Sequence, residues 1–436
     1  MTKYLNTYLG FVLLGLFQSL AAQNIHSQLK LDGAQGPVNA NEPSLAFFPK
    51  PSHTGLIGVN TSSVFRTNDP SLRQWSPVLV NPAQGFYGDP VLKISKKGEV
   101  FIAHLAKNPS KAWPEFFDRI VFERSDDSGK TFISTDVGFH EGKMQDKPWF
   151  SMDEWLSSKG SGNVYLSWTE FDKYGSKESK DSSRIWFARS LNGGRSFEAP
   201  LVISDVSGDA QDDDGTAEGA NIAIDPNGVL HAVWSRNDTI WYDCSRDFGL
   251  SWGKDQFVAK QIGGWNHSGV RSTMRVNGMP VIQCDAFGNL YVVFSGDACE
   301  HGQSDHWHCM QKDVFLSVRT HKSPAFSDPI VLNKPRSGES FHAKDSDGES
   351  GLISIPLFEF TDQYSPALVV NPTGKRLFVA WEDRRRSQTG LFFDVYGVEI
   401  LGRRNGHFKR GENLRLSDQV SIAPGTEVFM GDYRSE

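Results

Sequence analysis

The sequence predicts an all-β propeller built from four-stranded blades, on three observations: a turn motif in three strong copies, a strand-pair unit in six, and abundant glycine and aromatic residues. The turn motif follows S-x-[DN]-x-G-x-[ST]-[FW]. It stands as Ser125-Asp-Asp-Ser-Gly-Lys-Thr-Phe132, Ser190-Leu-Asn-Gly-Gly-Arg-Ser-Phe197 and Ser245-Arg-Asp-Phe-Gly-Leu-Ser-Trp252. A β-rich run precedes each copy: Arg119-Ile-Val-Phe-Glu123, Arg184-Ile-Trp-Phe-Ala188 and Thr239-Ile-Trp-Tyr-Asp243. In such a turn the Asp or Asn side chain accepts backbone N–H bonds and glycine supplies a positive φ. The closing aromatic then plugs between neighbouring sheets. The motif is an Asp box, and its role is to stabilise a hairpin, not to bind a ligand. Weaker copies are expected at Thr67–Trp75 and around Ser317–Phe326.

The second unit is an apolar strand, a turn and an aromatic-rich strand. It is read from Gly88-Asp-Pro-Val to His104, Asp146-Lys-Pro-Trp to Trp168, Glu218-Gly-Ala-Asn to Trp234, Met279-Pro-Val to Phe294, and Ser365-Pro-Ala to Trp381. Asn41-Glu-Pro-Ser-Leu-Ala-Phe47 opens a first copy. These pairs supply strands A and B, and the segments flanking the boxes supply C and D. Val428-Phe-Met-Gly-Asp-Tyr433 reads as the first strand of a further sheet, with Gln28-Leu-Lys-Leu31 as a closing strand. A seven-bladed ring is therefore expected, with six blades as the alternative.

Residues 1–22 read as a signal peptide. Lys3 precedes the apolar run Tyr8–Phe17, and small residues follow at Ser19, Ala21 and Ala22. The run is too short to span a bilayer comfortably, and no other long apolar stretch follows. Residues 23–436 are expected to form one propeller domain in an exported protein without an integral membrane span. A formal net charge of -7 argues against a nucleic-acid partner. The four cysteines, Cys244, Cys284, Cys299 and Cys309, are permitted to form disulfides in that compartment, in any of several pairings.

Asp boxes lie in the C-to-D turns, which share a face with the A-to-B turns. The B-to-C and D-to-A loops therefore carry the chemistry on the opposite face. Trp168, Trp234, His267, Arg271 and Arg384 sit on or beside these loops as candidate substrate contacts. His104, with Tyr174 and Arg184 in the next blade's loop, is a candidate catalytic set. Between Cys299 and Cys309 the loop also holds His301, His306 and His308. Cys299, His306, His308 and Cys309 suit a structural zinc, and a Cys299–Cys309 disulfide is the alternative. The runs Asp209–Asp214 and Asp345–Glu349 offer oxygen ligands for calcium, or are solvated loops. No organic cofactor is indicated.

The boxes, together with Asn41-Glu-Pro-Ser44, Tyr87-Gly-Asp-Pro90, Asp146-Lys-Pro-Trp149 and Phe171-Asp-Lys-Tyr-Gly-Ser176, resemble the secreted sialidase-like propellers over nearly the whole mature chain. That family's sialidases carry an early Arg-Ile-Pro motif, three substrate-gripping arginines, an Asp acid/base and a Tyr–Glu nucleophile pair. Here no arginine occurs before Arg66. The loop chemistry is similar to that of the propeller-type ulvan lyases, in which His and Tyr move protons, Arg neutralises a uronate and zinc props a loop. The resemblance implies His104, Tyr174 or Tyr242, and Arg184 or Arg236 in those roles. It ranks β-elimination on a uronate-containing polysaccharide first, with sialidase or other glycoside hydrolase as the alternative. A non-catalytic glycan-binding propeller ranks third.

Overall fold

The computed structural model describes residues 42–422 except 52, 61–62, 266–275, 277, 298–311, 334–361, 388–391 and 403–407. The leader read in residues 1–22, the candidate closing strand and the Val428–Tyr433 strand lie outside the described residues. Strand order falls into six sheets, each an antiparallel meander.

The first sheet holds β1 (Ser44–Phe47), β2 (Gly55–Val59), β3 (Ser63–Thr67) and β4 (Ser76–Val78). The second holds β5 (Val91–Ile94), β6 (Val100–Leu105), β7 (Ile120–Ser125) and β8 (Ile133–Val137). The third holds β9 (Met144–Met152), β10 (Val164–Phe171), β11 (Ser183–Ser190) and β12 (Leu201–Val202). The fourth holds β13 (Glu218–Ile224), β14 (Leu230–Ser235), β15 (Thr239–Ser245) and β16 (Gln256–Lys260). The fifth holds β17 (Val281–Cys284), β18 (Leu290–Asp297), β19 (Lys312–Arg319) and β20 (Ile330–Val331). The sixth holds β21 (Gln363–Val370), β22 (Arg376–Asp383), β23 (Phe392–Gly402) and β24 (Phe408–Arg415), with β25 (Ser421–Ile422) added.

The first strands β1, β5, β9, β13, β17 and β21 pack consecutively as the inner strands of the ring. Six blades, not the favoured seven, are therefore present among the described residues. After β24, β25 returns to pair with β23 through Phe392 and Phe393, so it extends the sixth sheet and opens no new one.

The Asp boxes form as read. Asp127 accepts from Ser125 Oγ at 2.8 Å, Lys130 N at 3.0 Å and Thr131 N at 2.9 Å, while Gly129 N reaches Ser125 Oγ at 2.8 Å. Asn192 and Asp247 repeat the pattern. The weak copy at Thr67–Trp75 is also a box, since Asp69 accepts from Ser71 N, Arg73 N and Gln74 N. These hydrogen bonds, the Ser71 hydroxyl's first, pull the Asp69 carboxyl down to about 2.

Phe197 packs edge-on against Phe122 of the preceding blade at 5.0 Å or less (4.9 Å between centroids), and Trp252 against Phe187 at 5.0 Å. The copy near Ser317–Phe326 keeps only this plug. Phe326 meets Tyr242 at 5.3 Å, but Arg319 stands where the other blades have the box serine, opposite the first residue of the B strand.

Register explains the core. Counting from the B-strand residue opposite the box serine, the fifth position is His104, Trp168, Trp234 and, in the fifth blade, Phe294. All four are buried, as is Trp381 in the sixth blade. Burying a large aromatic contributes roughly 1.5–3 kcal/mol, and here it closes each inter-blade wedge.

Candidate active site

The inner strands begin with a repeated irregularity. Glu42, Asp89, Lys147, Gly219 and Ser365 all have positive φ, between 48° and 72°. Each immediately precedes Pro43, Pro90, Pro148, Ala220 or Pro366. The pairing register breaks at the same place, between Ser167 and Thr169, Glu218 and Asn221, and Tyr364 and Ala367. A bulge re-aims the side chains beside it. Non-glycine residues at positive φ cost of order 1–3 kcal/mol each and concentrate at functional sites.

The positive-φ residues at the starts of the first three blades' inner strands bring charged groups together. Lys147 Nζ lies 3.2 Å from Asp89 Oδ2, 3.8 Å from Glu42 Oε1 and 3.8 Å from Asp146 Oδ1. All four residues are buried. Asn60 donates to Glu42, and its Oδ1 accepts from Asp89 N at 2.5 Å. Burial pushes the Asp89 carboxyl up, but Lys147 and hydrogen bonds with the Glu42 and Asp146 carboxyls outweigh it, so the net direction is down. Three carboxyls thus share one cation.

Two half-buried phenols border this group. Burial, then the charges of Asp89, Asp146 and Glu42, raise the Tyr87 hydroxyl above its ordinary value. The Tyr174 hydroxyl donates to Asp212 and is raised further, by burial and by Asp146 and Asp212. Both stay protonated near neutral pH and act as hydrogen-bond donors.

Beside them on the third blade, Arg184 binds Glu170 at 2.9 Å and Asp172 at 2.9 Å, while Lys143 meets Asp172 at 2.6 Å. His140 Nδ1 contacts the Glu170 carboxylate. A cavity of about 800 Å³ opens here between the loops of the second and third blades, with Ala112, Lys143, Asp172 and Lys173 in its wall.

The sequence-derived candidates divide sharply. Tyr174 and Arg184 stand at this site, although Arg184 is fully engaged with two carboxylates. His104 does not: it is buried, its Nδ1 is 2.9 Å from Leu105 O, and it stacks on Phe86 at 3.9 Å. Trp168 and Trp234 are buried wedge residues, with Trp168 Nε1 donating to Gln145 at 2.6 Å, so neither presents a ring to a sugar. Tyr242 is the fourth blade's counterpart of Phe122 and Phe187, with its hydroxyl 2.8 Å from His231 Nδ1.

Arg236 is buried on the Trp241 ring at 5.2 Å. Arg384 is buried at the sixth blade's bulge, 3.8 Å from Asp362 and 3.3 Å from the Tyr364 hydroxyl. His104, Tyr242, Trp168, Trp234 and Arg236 are thus all buried, which the period-2 pattern does not reveal.

His267, Arg271 and the zinc candidates Cys299, His306, His308 and Cys309 lie outside the described residues, as does Asp345–Glu349. Cys244 and Cys284 are free thiols. Among the described residues no group of three or more His, Cys, Asp or Glu is arranged to hold a metal. In the calcium-candidate run, Asp209 and Asp213 accept turn hydrogen bonds from Gln211 N and Gly215 N, and Asp214 accepts from Asp238 N. No described helix is long and apolar enough to cross a membrane.

The residues missed by the sequence reading as site groups are Glu42, Asp89, Asp146, Lys147 and Tyr87. Their signal is the acidic residue or lysine set before proline at the start of successive inner strands.

No family model matches the chain, and no curated protein matches it. Among solved structures it is similar to an α-L-arabinofuranosidase of Fusarium graminearum, at 11% identity over 83% of this chain and 93% of that one, TM-score 0.45. It is similar to the NanB sialidase of Streptococcus pneumoniae, at 10% identity over 84% and 74%, TM-score 0.44. It is also similar to an ulvan lyase, at 11% identity over 77% and 71%, TM-score 0.40. Likenesses this distant carry no inference about chemistry. The propeller itself rests on strand order and register.

Proposed function

We propose that this protein is a carbohydrate-active enzyme that cleaves a glycan at the Glu42–Asp89–Asp146–Lys147 centre, and that the reaction is hydrolysis of a glycosidic bond. The carrying observation is the three-carboxyl group around one lysine, contributed by three neighbouring blades. Glycosidic cleavage needs a carboxylic acid to protonate the leaving oxygen and a carboxylate to assist water or attack the sugar. Asp89 serves as the carboxylate, and Glu42 and Asp146 are the neighbours able to hold a proton against it. Lys147 keeps the group together as one cation among three carboxyls. Tyr87 and Tyr174 supply phenol oxygens that orient hydroxyls of the sugar, the Tyr174 hydroxyl accepting because its proton is given to Asp212.

The charge balance is why hydrolysis is placed ahead of β-elimination. Elimination needs a positive group on the uronate carboxylate, and like charges at close range cost several kcal/mol. At this centre the lysine is already shared, and Arg184 is bound to Glu170 and Asp172. Tyr174, raised by burial, is a poor base near neutral pH. The apolar leader read in residues 1–22 supports export, where polymeric glycans are met.

The test is product analysis on a panel of neutral, uronate-containing and sialylated glycans. New reducing ends from a neutral glycan, lost in Asp89→Asn, support the reading. Ultraviolet-absorbing unsaturated uronate would assign elimination instead, and free sialic acid would assign sialidase action.

A further inference from the structure

We propose that a neutral glycan chain is bound along the cleft between the second and third blades, with Trp113 as its stacking platform, so that the enzyme acts on polymers and not only on terminal sugars. This deepens the preceding reading and rests on it for the position of the cleavage point.

Three observations carry the inference. Trp113 is 62% exposed, a large apolar ring left in water at the loop face. Its ring meets that of Tyr174 nearly at a right angle, 81° at 6.4 Å, and Tyr174 in turn borders the carboxyl centre. Trp113 therefore stands one aromatic ring away from the carboxyl centre. By contrast the nearby exposed Phe139 already carries Arg119 at 4.4 Å and Lys111 at 5.6 Å over its ring.

Second, the cavity of about 800 Å³ starts at Lys111 and Ala112, the residues directly before Trp113. That volume lies within the range of pockets that enclose a ligand of several rings. Its far wall is Lys173 and the loop that follows Tyr174. The cleft and the centre therefore share the Tyr174 loop.

Third, the lining charges decide the ligand class. Four lysines, Lys111, Lys143, Lys173 and Lys180, face four carboxylates in the cleft wall. A polyanion would meet as much repulsion as attraction there, and the centre beyond it holds three carboxyls around one lysine. A neutral, hydroxyl-rich chain is served by both signs, since ammonium groups donate to hydroxyl oxygens and carboxylates accept from hydroxyl hydrogens. The apolar face of a sugar ring completes the match by lying on the indole.

The experiment uses the full chain carrying Asp89→Asn, so that bound polymer is not cleaved. Its retardation is measured in gels containing arabinan, xylan or β-glucan, and in gels containing alginate or polygalacturonate. Retardation by at least one neutral polymer and none by the polyuronates is expected. Adding Trp113→Ala should weaken that retardation about tenfold, the size of one aromatic contact. Leu156→Ser, at a 94% exposed site on the Asp-box face, is the control expected to change nothing.

Unchanged retardation in Trp113→Ala overturns the platform, and preferential binding of a polyuronate, or of no polymer, overturns the neutral-chain assignment. Turnover by Asp89→Asn equal to wild type would instead overturn the catalytic centre, and the Trp113 comparison reads independently of it.

Discussion

Lys147 Nζ sits 3.2 Å from Asp89 Oδ2, joining the inner-strand starts of two adjacent blades. Both residues hold a positive φ, 48° and 53°, and both precede proline. The pair is a structural tie and the cation of the candidate active site at once. Removing the cation leaves buried carboxylates without compensation.

Lys147→Met is therefore expected to destabilise the protein by about 3–5 kcal/mol near neutral pH, as when one partner of a buried pair is removed. Chemical denaturation of the variant across pH checks this. The loss should shrink in acid as the carboxyls protonate, and an equal loss at all pH values would contradict the arrangement.

His104 and Tyr242 are expected to behave as core residues. His104→Phe occupies the place that Trp168, Trp234 and Phe294 fill in other blades, and its turnover should match wild type. Tyr242→Phe loses one buried hydrogen bond to His231, about 1 kcal/mol, with turnover unchanged. Melting curves and steady-state rates test both. Loss of turnover in a stably folded His104→Phe would restore the histidine to the chemistry.

Asp243 is buried against Asp255 and Asp205 at the outer edge of the third and fourth blades, and burial, then those neighbours, lift its carboxyl to about 6. A carboxyl raised in the folded state binds its proton more tightly there than when unfolded. It favours folding below its unfolded value and loses that contribution as pH rises through about 6. Asp243→Asn should flatten this limb of the stability profile and raise the melting temperature above that pH. A profile unchanged by the substitution would contradict the assignment.

Tyr174→Phe removes the donor to Asp212 while leaving the ring against Trp113. A lower kcat with polymer binding retained is expected. Loss of binding with kcat unchanged would move Tyr174 from orientation to platform.

Much of the fold was readable because its signals are local. Asp127, Asn192 and Asp247 each satisfy a turn within five residues, and the B-strand pattern repeats in every blade. The blade count was not: the seventh blade was read from Val428–Tyr433 and Gln28–Leu31, which lie outside the described residues, and those described form six sheets.

The candidate site was readable only in pieces. Glu42, Asp89 and Asp146–Lys147 lie far apart in sequence and meet because positive-φ residues at the starts of three neighbouring inner strands bring them to one point. His104 and Trp234 looked surface-facing because polar loop residues follow them, yet their side chains point into the wedge between blades. Tyr174 was found because its loop is both polar and aromatic, a combination rare in the buried strands.

The most direct measurement is the product formed from neutral polysaccharide by wild type and by Asp89→Asn, with folding verified by melting. The expected result is new reducing ends from the wild type and a loss of about a hundredfold or more in the variant, as for removal of an acid–base group. Equal rates in the two proteins, or unsaturated uronate formed from an anionic polymer and nothing from neutral ones, would contradict it.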